Sequence, residues 1–203
     1  MPPDGLHPHA ASGNGTEGGA RDFLARICRL LVNPTNEWLA IRDISSRRLK
    51  LLLVHAGLLS IFASIAWATG QVTLTPSNNP GLLFLVLTVK TFALYAVSIG
   101  LQGLSIAVLM PMYGVKRAPG RAMVLAGFGY TPLLVCGLLT VYPLLSIAMV
   151  IAVPLVGYQL HVGARIVAGV RPGDAAEFAA ASMVLATLAS IATGGVLAAL
   201  GVF

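Results

Sequence analysis

Acidic side chains are the scarcest chemistry in this chain. It has 7 Asp and Glu residues, and beyond Asp43 only Asp174 and Glu177 remain, so no apolar run contains a carboxylate. That argues against paired carboxylates for acid–base catalysis and against an intramembrane acid for proton or cation coupling. Cysteine is nearly absent as well. Cys28 and Cys136 stand alone, which excludes a CxxC pair or a disulfide framework, and both are expected as free, structural thiols. There is no P-loop, HExxH or dinucleotide fingerprint. Charge of either sign is low, at 10% of residues against about 25% in soluble domains. What is present is apolar surface: 57% of side chains, with a mean hydropathy of +0.85 over 203 residues. The fold class expected is all-α, an integral membrane helical bundle. The formal charge of +6 lies in segments flanking apolar runs, as topology determinants do, which argues against a nucleic-acid partner.

Residues 1–20 are rich in Gly, Pro and polar side chains without periodicity and are expected to be a disordered tail. They lack the basic start and apolar centre of a signal peptide. His7 and His9 lack the further ligands a metal requires. Residues 21–48 are expected as cytosolic, interfacial helices. Phe23, Leu24, Ile27, Leu30 and Leu31 fall at helical spacing with Arg21, Arg26 and Arg29 on other faces, a basic amphipathic helix suited to the headgroup plane of an anionic leaflet. Asn33 and Pro34 then break the chain and start a second helix, to about Asp43, carrying Trp38 as an interfacial anchor and Ile41 on one side.

The membrane domain, residues 49–203, is expected to contain five transmembrane helices at about 51–70, 86–112, 122–142, 143–162 and 178–203. Arg47, Arg48 and Lys50 precede the first, whose length of about 30 Å matches the hydrocarbon thickness. The run from Gly81 to Tyr113 carries two stripes and is expected to be the central helix of the bundle. Thr88, Thr91, Tyr95, Ser98, Gln102 and Ser105 share one face at spacings of three and four; Ala93, Ala96, Gly100, Gly103 and Ala107 form a small-residue face nearly opposite. Interhelical hydrogen bonding is the reading preferred for the polar stripe over a solute path. Counting back from Met110 puts Lys90 at the outer boundary as a snorkelling anchor, with residues 81–89 as an interfacial piece.

Lys116, Arg117 and Arg121 mark the next loop as cytosolic. A tight turn at Val141, Tyr142 and Pro143 makes the third and fourth helices antiparallel neighbours, and Pro132 and Pro154 are expected to kink them at similar depth, near Tyr130, Thr131 and Tyr158. In the last helix Ser182, Ala186, Ser190 and Gly194 recur every four residues as a packing face. Every acid, and every Lys or Arg except Lys90, then falls on one side, which places the N-terminus in the cytosol and the C-terminus outside.

Two stretches resemble the bacterial branch of the Yip1 domain family. Asn33-Pro34-Thr35-Asn36-Glu37-Trp38-Leu39-Ala40-Ile41 is similar to that family's pre-membrane signature of Pro, Trp and Ile, and Ala126-Gly127-Phe128-Gly129-Tyr130-Thr131-Pro132 to its third-span Tyr-Thr-Pro pattern. Tyr113-Gly114-Val115 departs from the paired glycines often found there. The resemblance covers about residues 23–203. It implies a five-span scaffold or interaction protein without enzymatic activity, in the inner membrane of a bacterium. The expected partners are the bilayer, with anionic lipid at the N-terminal helix, and membrane proteins or further copies of the chain. No cofactor, metal or catalytic residue is expected, since His55, His161, Tyr130 and Tyr158 are scattered along the chain. The rival is a small oligomeric transporter or channel in which Thr91, Tyr95, Ser98 and Gln102 face a wet cavity with Tyr130 and Tyr158.

Overall fold

Prolines and glycines set the element boundaries. The computed structural model describes residues 17–43 and 48–199, and among these the chain is helical apart from short connections. α1 (Glu17–Val32) stops at Asn33, and α2 (Pro34–Asp43) begins on Pro34, where the missing N–H has no helical role. α1 therefore includes the last residues of the expected tail. His7, His9 and Arg47 lie outside the described residues.

α3 (Arg48–Leu74) runs past Gly70, with Thr73 Oγ1 donating to the Gly70 carbonyl at 2.7 Å near its end. The Asn79 side chain then accepts from the Leu82 N–H at 3.2 Å, and Pro80 opens α4 (Pro80–Leu109). α4 is unbroken from Pro80. Residues 81–89, expected as an interfacial piece, are helically continuous with the span, because no breaker follows the N-cap. A 3₁₀ turn over Met110–Tyr113 ends in the left-handed Gly114 at φ 72°, and α5 (Pro119–Gly129) follows.

Tyr130, at φ −78° and ψ −5°, separates α5 from α6 (Thr131–Leu138). The Pro132 ring excludes an unbroken ladder at this point, so the expected kink is a change of helix. Extended Tyr142 makes the turn to a 3₁₀ segment, Pro143–Ile147, and to α7 (Ala148–Gly163), which passes through Pro154 without ending. α7 widens into a π turn, Ala164–Ala168, and terminates at Gly169 with φ 82°; α8 (Ala175–Ala199) completes the fold. Among the described residues, five helical stretches are long and apolar enough to cross a membrane: Val54–Leu74, Pro80–Tyr113, Pro119–Val141, Pro143–Ala168 and Ala175–Gly195. Alternation along the chain gathers α1, α2, the 114–118 loop and the 169–174 loop at one end, the basic end.

The centre of the bundle is the third span, not the second. Of the most apolar window in each, 61% is buried in Pro119–Val141 and 6% in Pro80–Tyr113. α5 and α6 pack against α3, α4 and α7 together, and glycines allow the approach. A Cβ on Gly129 would stand 2.8 Å from Leu160 Cδ2, and one on Gly137 3.0 Å from Ala63 Cβ and 3.1 Å from the Tyr95 hydroxyl. α4 uses only the inner half of its small-residue face. Gly103 meets Met123 and Ala107 is buried, whereas Ala93 and Ala96 are exposed. An apolar side chain gains little by leaving lipid for a helix, so the longest apolar run need not be the most enclosed.

Candidate functional site at the basic end

The two stretches singled out by their motifs come together here. α1 and α2 form a hairpin whose inner face holds Ile27, Leu30, Trp38 and Ile41, all buried, with Trp38 and Leu30 at 0% exposure. Glu37, also buried, accepts from Arg29 Nε at 2.8 Å and forms an ion pair with Arg26, whose Nε lies 3.0 Å from its other oxygen, so one carboxylate on α2 ties two turns of α1.

Trp38 seats the hairpin on the bundle. Its ring meets Phe128 edge-on, with centroids 6.2 Å apart and planes at 80°, and rests on Gly163, where a Cβ would come within 3.0 Å of the indole. The indole Nε1–H donates to Gln159 Oε1 at 2.9 Å, and Gln159 Nε2 donates to the Leu30 carbonyl. Leu30 is in the last turn of α1, where carbonyls have no partner within the helix. One amide on α7 therefore caps α1 and satisfies the tryptophan of α2.

His55 lies just inside, at the start of the first span. Its Nε2 is hydrogen-bonded to Thr131 Oγ1 at 3.0 Å, at the change from α5 to α6, and its ring stacks near Phe128 (4.6 Å) and Phe23 (5.4 Å). Pro132 is buried alongside Thr131. Tyr130 is half-buried against the core. The pre-membrane and third-span stretches thus meet through Trp38 with Phe128, and His55 with Thr131.

Trp38, expected as an interfacial anchor, and Ile27 and Ile41, expected to contact the membrane surface, face protein instead, because helical spacing defines an apolar face without naming what covers it. Pro34 is buried and Phe23 partly so. Leu24, Leu31 and Val32 project outward, Val32 at 85% exposure, beside the exposed Cys28.

A cavity of about 430 Å³ opens next to the tryptophan seat, between α2, the last turns of α7 and the π turn. Its polar lining is Thr35, Arg42, Tyr158, His161 and Arg165, and no carboxylate contributes among the described residues. His161 Nδ1 is buried without a hydrogen-bond partner among the described residues. The α4 stripe lies elsewhere. Gln102 Nε2 donates to Ser182 Oγ at 3.1 Å, joining α4 to α8, while Ser182 donates to the Ala179 carbonyl. Thr91, Tyr95 and Ser98 are half-buried, Lys90 is exposed, and none of these lines the cavity. Tyr158 lines this cavity, whereas Tyr130 does not.

Gln159 and Glu37 went unremarked as site residues in the sequence. The available signal was a lone amide in an otherwise apolar helical run, which in a membrane setting requires a partner. Chemically the site offers donors and cations. The described residues contain no group of three His, Cys, Asp or Glu side chains able to hold a metal. Searches against protein-family models, curated proteins and solved structures find nothing that matches this chain.

Proposed function

We propose that the chain is a non-enzymatic, multi-pass membrane protein of Yip1-like type that acts as a membrane scaffold or interaction protein. In this reading the basic end faces the cytosol, the C-terminus lies outside, and the membrane is the inner membrane of a bacterium. The observation that carries the reading is the docked hairpin. A helical pair held by Trp38, Gln159 and Glu37 keeps a fixed apolar ridge, Leu24, Leu31 and Val32, turned away from the bundle and flanked by arginines. That geometry suits contact with an anionic leaflet or with a membrane-protein partner. The polar stripe, by contrast, uses its most buried member, Gln102, to join helices.

The test introduces Ser98→Cys in a chain carrying Cys28→Ser and Cys136→Ser, with intact vesicles and a thiol reagent that does not cross lipid. A loop control, Asn78→Cys, reports that the reagent reaches the protein. Ser98→Cys is expected to stay unlabelled under conditions where Asn78→Cys reacts. Labelling at both positions would replace this reading with a hydrated path and the transport class.

A further inference from the structure

We propose that the cavity beside Trp38 is a binding site for a phosphate ester, gripped by Arg165 and His161. Four observations converge on it. Its volume of about 430 Å³ lies within the range of about 300–1,000 Å³ typical of small-ligand sites. Among the described residues its lining joins the guanidinium of Arg165, the imidazole of His161 and the hydroxyls of Thr35 and Tyr158, with Arg42 beside them. Among the described residues Arg165 makes no ion pair and the His161 ring nitrogen Nδ1 has no hydrogen-bond partner.

The backbone shapes the same spot. The π turn Ala164–Ala168 departs from regular helical spacing at Arg165, and Gly169 in the left-handed region lets the Val170 N–H return to the Ala164 carbonyl at 3.1 Å. The chain then borders the cavity through Val170 and Pro172, while Trp38 resting against Gly163 holds α2 beside it. Helical π turns of this kind recur at functional sites. Depth adds the chemistry of the ligand. Tyr158, His161 and Arg165 occupy the end of the span Pro143–Ala168, the level at which a bilayer presents phosphates, and basic pockets between membrane helices are suited to anionic head groups. The shared chemistry is a phosphate oxyanion with an organic substituent, which a phospholipid or a soluble phosphate ester supplies.

The inference rests on the reading of the basic end as the working surface. An aqueous path at Ser98 would overturn that reading and leave the titration below untouched, while failure of the titration would remove this site and leave the spans as they are. The full-length chain in neutral detergent is titrated with phosphatidylglycerol, with diacylglycerol as a lipid lacking phosphate, and with glycerol phosphate as a soluble ester, and binding is read by native mass spectrometry. Phosphatidylglycerol is expected to bind in preference to diacylglycerol. Arg165→Gln should weaken binding about tenfold or more, since a charge-assisted contact is lost, and Arg165→Lys should restore part of it. His161→Gln and Thr35→Val should each weaken it by a smaller factor, while Arg117→Gln, in a different loop, should leave it unchanged. If glycerol phosphate binds with the same dependence on Arg165 and displaces the lipid, the natural source is soluble. Lipid binding that withstands excess glycerol phosphate identifies the head group. Wild-type affinity in both Arg165→Gln and His161→Gln, equal binding of diacylglycerol, or binding of neither phosphate compound would overturn the proposal.

Discussion

Gln159→Leu tests how the N-terminal hairpin is held, because leucine approximates the volume of the amide while removing both of its bonds. In the native fold this side chain accepts from Trp38 Nε1 at 2.9 Å and donates to the Leu30 carbonyl, and it is 2% exposed. The substitution leaves one buried donor and one helix-terminal acceptor unmatched, at about 1–3 kcal/mol each. The docking of α1 and α2 should weaken by about 2–6 kcal/mol, which at about 1.4 kcal/mol per tenfold raises the undocked population by a factor of roughly 30 to 20,000. The assay is amide hydrogen exchange of the reconstituted protein, read by mass spectrometry on peptides from residues 17–43. Exchange there should accelerate by at least about thirtyfold, while α4 to α8 keep their wild-type rates. The double variant Trp38→Phe with Gln159→Leu removes both partners of the indole bond and should cost about 1–2 kcal/mol less than the sum of the single changes. Wild-type exchange rates in Gln159→Leu would refute the reasoning, and additivity in the double variant would show that the indole bond is not coupled to docking.

The ion triad predicts an asymmetry. Arg26→Gln with Arg29→Gln strands the buried Glu37 carboxylate and should destabilise the hairpin by about 3–5 kcal/mol, whereas Glu37→Gln leaves arginines that are 26% and 56% exposed and able to hydrate, costing about 1–2 kcal/mol; equal losses by the same exchange assay would contradict this. Gly163→Ala drives a Cβ against Leu125 Cδ1 and to 3.0 Å from the Trp38 indole and should cost about 1–3 kcal/mol in thermal unfolding, while Gly100→Ala, with no neighbour within 4 Å, should not lower stability. A Gly163→Ala protein as stable as Gly100→Ala would mean that the tryptophan seat is loose.

The parts of the site legible beforehand were those with local causes. Asn33 and Pro34 end one helix and start the next because proline suits the first helical position, and Thr131 and Pro132 mark a change of helix because proline interrupts the ladder. Trp38 stands out in the sequence as an aromatic, but its seat depends on Phe128, Gly163 and Gln159, which lie about 90 to 125 residues along the chain. Gln159 satisfies two groups that are themselves unremarkable in sequence, a helix-end carbonyl and an indole N–H.

Composition and hydropathy alone determined that the chain is a helical protein with five stretches able to cross a membrane, because about 20 apolar residues are needed to match the hydrocarbon thickness whatever their neighbours. They also determined where helices break and that charge collects at one end. Tertiary structure decided that α5 and α6 rather than α4 occupy the centre, that Trp38 points into protein, and that Arg165 and His161 border one cavity with α2. The physical reason is that lipid and a packed helix face are similarly apolar, so periodicity marks a surface as apolar without telling which of the two will cover it. That choice rests on close approach at glycines and on single hydrogen bonds between distant residues, which only the folded chain brings together.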